Sequence, residues 1–209
     1  MASKGGLESN DRFKVLDAGS GFTFFPYYIS YKHTNCNVYC CDCDRSLIHL
    51  FSNTNKRLQR TVDFKLYDLT NLGYRENSFS IIYCISVLEH APNHEKIFEQ
   101  FERVLEPNGI LIITLDISLD DREKSTKENQ DLLNQLNNKF NPTDVSLRTL
   151  DIGDESEVLN TKFAKGFDRN SLPWASTWSS TLSSLLKLEI PRKPFSFLTV
   201  FCGVWRKAR

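Results

Sequence analysis

The chain has 209 residues, 26 basic against 26 acidic side chains, and is 40% hydrophobic and 25% charged, the make-up of one ordinary globular domain whose core needs no disulfide staples. That balance excludes disordered, collagen-like and repeat architectures. A formal net charge of zero supplies no field to gather phosphate backbones or an anionic bilayer, so nucleic acid is not an expected partner. Nor is a membrane: the longest apolar run, Phe195 to Trp205, contains Ser196, Thr199 and Gly203 and falls short of the ~20 residues a spanning helix needs.

Met1 to Gly6 carries one charge and no apolar stretch behind it, which predicts a flexible leader over 1–12 rather than a secretory signal, and a cytoplasmic location by default. Cys36, Cys40, Cys41 and Cys43 crowd together without the paired spacing of a zinc knuckle. Strand neighbours point to opposite faces, so buried thiols in a reducing compartment, and no metal, are expected. Lys187, Arg192, Lys193, Arg206, Lys207 and Arg209 make the end locally basic, which a solvated strand rim explains as readily as an anion site.

Short apolar runs alternate with helix-period segments through the first half, which predicts an α/β fold with a parallel sheet covered by helices. Phe13 to Leu16 reads as the first strand. A glycine turn follows, then a short helix with Pro26 at its start and Tyr27, Tyr28, Ile29 and Tyr31 along it. Asn37 to Cys41 is the second strand. Asp44 is placed to cap a helix reaching Leu58, with Leu47, Ile48, Leu50 and Phe51 as its buried stripe. Asp63 to Tyr67 is the third strand, and the almost wholly apolar Phe79 to Ile85 the fourth, lying mid-sheet. Ile97, Phe98, Phe101, Val104 and Leu105 recur at helical spacing behind Asn93 as cap, and Pro107-Asn108-Gly109 ends that element before a fifth strand, Ile110 to Leu115.

From Asp116 to Asn160 the chain carries eleven acidic and five basic residues and one helical stripe, Leu132, Leu133, Leu136 and Phe140. A second stripe runs through Trp174, Trp178, Leu182 and Leu185. Such spacing usually marks core, although the tryptophans could also stack on an acceptor. Phe195 to Trp205 is a closing strand broken by Gly203. The expected organisation is a cofactor-binding core over 13–118, a helical or irregular specificity insertion or cap over 119–190, and a C-terminal strand within 191–209.

In an open parallel sheet ligands bind beyond the carboxyl ends of the strands, which directs attention to Asp17-Ala18-Gly19-Ser20-Gly21-Phe22-Thr23-Phe24 after the first strand. Phe24 stands where a dinucleotide fingerprint needs its third glycine, which argues against NAD. The second strand ends in Asp42 and Asp44. A carboxylate there can accept both hydroxyls of a ribose, while Asp44 can equally be no more than a helix cap.

These motifs, in order over about Phe13 to Leu115, resemble the class I, Rossmann-like S-adenosylmethionine-dependent methyltransferases, particularly the small-molecule group. Val15-Leu16-Asp17-Ala18-Gly19-Ser20-Gly21 is similar to the family's first motif and Val38-Tyr39-Cys40-Cys41-Asp42-Cys43-Asp44 to its second. Asp68-Leu69 is similar to the third-strand exit, Ile85-Ser86-Val87-Leu88-Glu89-His90 to the segment after the fourth strand, and Phe101 to Leu111 to the helix and turn entering the fifth. The resemblance implies a doubly wound sheet, mostly parallel with an antiparallel C-terminal strand and helices on both faces. It implies S-adenosylmethionine as cofactor, met by Asp17, Ala18, Gly19, Ser20, Gly21, Asp42, Cys43, Asp68, Leu69, Ile85 and Ser86, with Asp42 on the ribose and Cys43 and Asp68 at the adenine. Thr23 replaces a small residue common in the family, and about a dozen residues precede the first strand where many relatives have covering helices. The cofactor is then expected to be more exposed, or covered by a second copy in a homodimer or by a partner subunit.

Methyl transfer from a sulfonium is an in-line displacement, so alignment and exclusion of water matter most and a base is optional. His90 is the best placed candidate base, with Asp116 beside it as a second catalytic candidate, and Glu89 and His94 also fall past strand ends. Against this, a histidine in such a loop often only fixes the turn. The segment Ile85-Ser86-Val87-Leu88 lacks the Asn/Asp-Pro-Pro-aromatic pattern of base- and glutamine-directed enzymes, which leaves a small-molecule acceptor, metabolite, sugar or natural product, methylated on O or N. A catalytically inactive scaffolding subunit on the same fold stays open as the alternative.

Overall fold

The computed structural model describes residues 12–59, 61–120, 122–150, 160–161 and 197–208. Its strands are β1 (Phe13–Ala18), β2 (Cys36–Asp42), β3 (Asp63–Leu66), β4 (Phe79–Ile85), β5 (Leu105–Ser118), β6 (Asn141–Pro142) and β7 (Leu198–Arg206). The helices are α1 (Phe25–Lys32), α2 (Leu47–Leu58), α3 (His94–Val104) and α4 (Arg122–Lys139). The sheet order is β3-β2-β1-β4-β5-β7-β6. β1 to β5 are mutually parallel and β7 runs antiparallel to β5 and β6. This is the doubly wound, mixed sheet expected from the sequence, with β4 in its interior.

The two faces are packed differently. On one, α1 and α2 lie over β1 to β3, where Tyr27, Phe51 and Phe64 form an aromatic stack with the last two rings 4.6 Å apart and nearly parallel. Asn55 fastens α2 to the entry of β3, its amide donating to Val62 O at 2.9 Å and accepting from Val62 N at 3.1 Å. This contact is a single row, Leu47, Phe51 and Asn55. Ile48 and Leu50, expected in the buried stripe, are therefore exposed at 41% and 43%: they lie on the flanks of a helix that touches the sheet along one i, i+4 line. Asp44 accepts from Ser46 N at 2.8 Å in the turn that precedes α2, but the N-cap is Ser46, so Asp44 is not the helix cap expected of it.

On the other face α3 and α4 bury Ile97, Phe98, Phe101, Val104, Leu132, Leu133, Leu136 and Phe140 in one cluster with Leu16, Ile82, Leu111 and Trp205. Along β5 the alternation is clean: Leu111, Ile113, Leu115 and Ile117 are buried and the residues between them partly exposed. The described part of the acidic stretch after Asp116 thus packs through α4 into the main core. Trp174, Trp178, Lys187, Arg192, Lys193 and Arg209 lie outside the described residues.

Two features differ from the expectations. α3 ends at Val104, and Leu105, expected on the helix stripe, adopts extended backbone and opens β5. Pro107-Asn108-Gly109 is then a bulge inside the strand rather than its prelude: pairing passes from Phe79↔Leu105 to Ile81↔Ile110, two residues on along β4 and five along β5. Asn108 takes φ +62° at its tip. Arg206 donates to Asn108 O at 3.3 Å and Lys207 to Leu105 O at 2.7 Å, so these two basic residues clamp the bulge, as a strand rim would.

Gly203 does not break β7, which runs through it in register with Ile113. A Cβ there would lie 2.3 Å from the Trp205 ring, which occupies the space a side chain would need and donates through Nε1 to Asn137 Oδ1 at 2.8 Å. Gly203→Ala is expected to destabilise the fold by about 1–3 kcal/mol, the usual cost of overpacking, read as a lower urea midpoint at unchanged slope. A midpoint equal to wild type would show that Trp205 can move aside.

Candidate active site

The parallel strands end along one edge, and their last backbone groups are satisfied by neighbouring strand exits. Gly19 N and Ser20 N donate to Cys41 O at 2.9 and 3.0 Å. Gly21 N donates to Asp42 Oδ2 and Asp44 N to Asp42 Oδ1, both at 2.9 Å, and Tyr67 N to Asp42 O at 3.0 Å. Gly19 has φ +76°, and a Cβ on it would meet the Val87 methyls at 2.8 Å. The turn after β1 therefore closes on the segment after β4 only because residue 19 is glycine.

Between these exits lies a cavity of about 500 Å³. Of the residues singled out in the sequence it is lined by Gly19, Asp42, Cys43, Asp68, Leu69 and His90. Cys43 is exposed there, unlike the buried thiols of Cys36, Cys40 and Cys41 expected as its companions: it follows the last residue of β2, where the chain has left the sheet. Asp68 Oδ1 accepts from Thr70 N at 2.8 Å and Thr70 Oγ1 at 2.7 Å, bonds that hold its carboxyl below the usual range and keep it ionised.

Asp17, Ala18 and Ser20 are buried behind the turn instead of facing the cavity. Burial pushes the Asp17 carboxyl up to about 7, opposed by the Tyr83 hydroxyl and reinforced by the Asp42 charge. Ile85 is 44% exposed at the end of β4. Ser86 turns the chain with φ +52°, its N–H directed to Thr114 Oγ1 at 3.0 Å and its hydroxyl to Asp116 Oδ1 at 2.8 Å.

His90 ends a short 3₁₀ turn, Leu88–His90, and is exposed on the cavity wall. The turn-fixing role falls instead to His94, whose Nε2 is 2.6 Å from Leu88 O. Asp116 does not line this cavity, so the two catalytic candidates are not brought together in it: Asp116 lies two residues before the end of β5 and is engaged by Ser86. Tyr67, Val87, Asn93 and Ile97 also line the cavity. In the sequence these four read as a strand end, a motif segment, a helix cap and a helix stripe, because wall residues carry the same local pattern as structural ones. Thr70 had a legible signal, Asp-x-Thr, the spacing of a side-chain-closed turn.

A methyltransferase-domain family matches residues 16–113, the segment that builds these strand exits. Over those residues, a little under half of its length, the chain resembles a methyltransferase domain. Among curated relatives it is 28% identical over 124 residues to phosphoethanolamine N-methyltransferase 3 of Arabidopsis thaliana, an alignment covering 54% of this chain and 25% of that enzyme. It is 25% identical over 138 residues to sterol 24-C-methyltransferase of Kluyveromyces lactis, covering 65% and 36%. The chain thus spans about a quarter to a third of these relatives' length. Of solved structures, the YcgJ protein of Bacillus subtilis superposes with a TM-score of 0.60 at 14% identity, covering 97% of this chain and 94% of that one. The cyclase SpnF superposes with 0.60 at 17%, covering 95% and 76%. Both likenesses concern the fold.

The Asp17 carboxyl makes stability depend on pH. The unfolded chain ionises it near 3.8 and the folded chain near 7. Between those values the folded state holds a proton that the unfolded state has lost, so stability falls as pH rises through that window and levels off above it. Asp17→Asn has no such proton. Ligand-free, its stability relative to wild type should rise from about pH 5 to about pH 8, by at most about 3 kcal/mol, since roughly two pH units of the window lie in that range at ~1.4 kcal/mol each. A difference constant across that range would show that Asp17 ionises normally.

Proposed function

We propose that the chain binds S-adenosylmethionine in the cavity at the strand exits and transfers its methyl group to an O or N atom of a small-molecule acceptor. The observation that carries this reading is the placing of the Asp42 carboxylate between the turn after β1 and the cavity, with its two backbone donors using one direction on each oxygen. A carboxylate offers about four acceptor directions, so each oxygen keeps one for a ribose hydroxyl. Cys43 and Leu69 offer flanking surface for adenine, and the ionised Asp68 an acceptor for its amino group. The turn Gly19 to Gly21 lets backbone approach the amino-acid part. The cavity volume is within the range of small-molecule sites.

When bound, the cofactor supplies an electrophilic methyl on sulfur. The protein's own part is to hold the acceptor in line, to exclude water and to take up the acceptor's proton. His90, exposed on the wall with no ring hydrogen bond among the described residues, is the group available for that proton. The phosphoethanolamine N-methyltransferases among the relatives favour nitrogen as one acceptor atom.

Calorimetric titration of the purified chain with S-adenosylhomocysteine should give micromolar binding, and NAD none. Asp42→Ala should weaken that binding at least tenfold, the loss expected for charge-assisted hydrogen bonds, while melting cooperatively. Undiminished affinity in Asp42→Ala would remove the ribose assignment, and absence of binding to the wild-type chain the cofactor reading itself.

A further inference from the structure

Among the described residues, the β4-side edge of β5 has no strand beside it at its carboxyl end. Pairing with β4 stops at Ile85↔Thr114, yet β5 continues to Ser118, held on its other edge by β7 as far as Ser118↔Leu198. The chain leaves β4 at Ser86 and folds into the turn Leu88–His90. A backbone donor left bare at such a place costs as much as a lost hydrogen bond. Side chains supply the missing partners: Glu89 Oε1 accepts from Asp116 N at 2.8 Å, Ser125 Oγ from Ser118 N at 3.1 Å, and Asn129 Nδ2 reaches Asp116 O at 3.5 Å.

Of these three, Glu89 alone comes from the cavity side, since Val87 and His90 on the same turn line the cavity. It does so at a cost. Its second oxygen, Oε2, is buried without a hydrogen-bond partner, and that burial, with Asp116 nearby, raises its carboxyl above the ordinary value. An apolar side chain beside the buried Leu88 would avoid both penalties. The compensating interaction is the bond to Asp116 N, which joins the turn to β5.

We propose that Glu89 is a positioning residue, whose carboxylate replaces β4 as the hydrogen-bond partner of β5 and thereby fixes the cavity wall carrying Val87 and His90 against Asp116. Asp116 is held twice from the same segment, at its N–H by Glu89 and at its carboxylate by Ser86. Among the described residues, loss of the first bond leaves Ser86 as the hydrogen-bonding link from this segment to β5. The inference rests on the reading of the cavity as the cofactor site.

Hydrogen exchange followed by mass spectrometry on Glu89→Ala should show the Asp116–Ser118 amides and the 86–91 segment exchanging about tenfold faster, with β1 and β2 as in wild type. Its affinity for S-adenosylhomocysteine should fall about fivefold or more. Glu89→Gln keeps an acceptor oxygen and should restore both measurements to within about twofold of wild type. Wild-type exchange in Glu89→Ala, or a glutamine variant as impaired as the alanine one, would overturn the proposal. If the wild-type chain binds no S-adenosylhomocysteine, the cofactor reading fails, while the exchange comparison still decides the role of Glu89.

Discussion

The Asp42 carboxylate ties the turn after β1 to the turn after β2, and the site depends on that tie. Parallel strands that stop along one edge leave backbone groups with no ladder partner. The chain meets this requirement by turning each exit onto its neighbour's last residues: Cys41 O takes the two amides that open the glycine turn, Asp42 O takes Tyr67 N, and the Asp42 side chain takes one amide from each adjoining loop. Those donors are satisfied inside the protein, so the loops that wall the cavity are held by the chain's own hydrogen bonds. Preorganisation of this kind lowers the ordering cost of binding.

The same requirement is met differently two strands away. β5 is fourteen residues long and β4 seven, so the longer strand must find other partners beyond Thr114. It finds them in side chains from the 3₁₀ turn and from α4. The β2 end of the cavity is consequently held by backbone hydrogen bonds between neighbouring strand exits and by the side chain of the strand's own last residue, Asp42, whereas the β5 end is held by side chains that arrive from separate elements. A substitution at Glu89 or Ser125 removes a partner outright, while one at Cys41 leaves its carbonyl in place.

That difference explains what could be read from the chain. The strands β1 to β5 and the exits after β1, β2 and β3 follow from local patterns: period-two apolar runs, paired glycines, and acids that end strands. Gly19, Asp42, Cys43, Asp68 and Leu69 converge on the cavity because each sits within a few residues of a strand end whose sheet position the alternation of elements predicts. Leu105 has helical spacing yet belongs to β5, because a bulge lets it pair with Phe79. Ile48 and Leu50 fit a buried stripe by spacing, but a one-row contact leaves them exposed. Gly203 has the local pattern of a break, since nothing in a window around it reveals that Trp205 folds back over it.

The acceptor end was harder to read for a physical reason. Asp116 is an acid near a strand end, as Asp42 is, and local pattern treats the two alike. What separates them is the length of the neighbouring strand. β2 and β3 end together, so Asp42 faces open space, whereas β5 outruns β4 and Asp116 is drawn into bonds with Ser86 and Glu89. Relative strand length is a tertiary property, fixed by where Ser86 accepts a left-handed backbone and by how far β7 holds β5 on its other edge. The fold is shared with SpnF, a cyclase, so the sheet does not select the reaction. What differs from chain to chain on such a sheet is carried by the segments beyond the strand ends, and here the bond between Glu89 and Asp116 joins one of them, the turn behind Val87 and His90, to the end of β5.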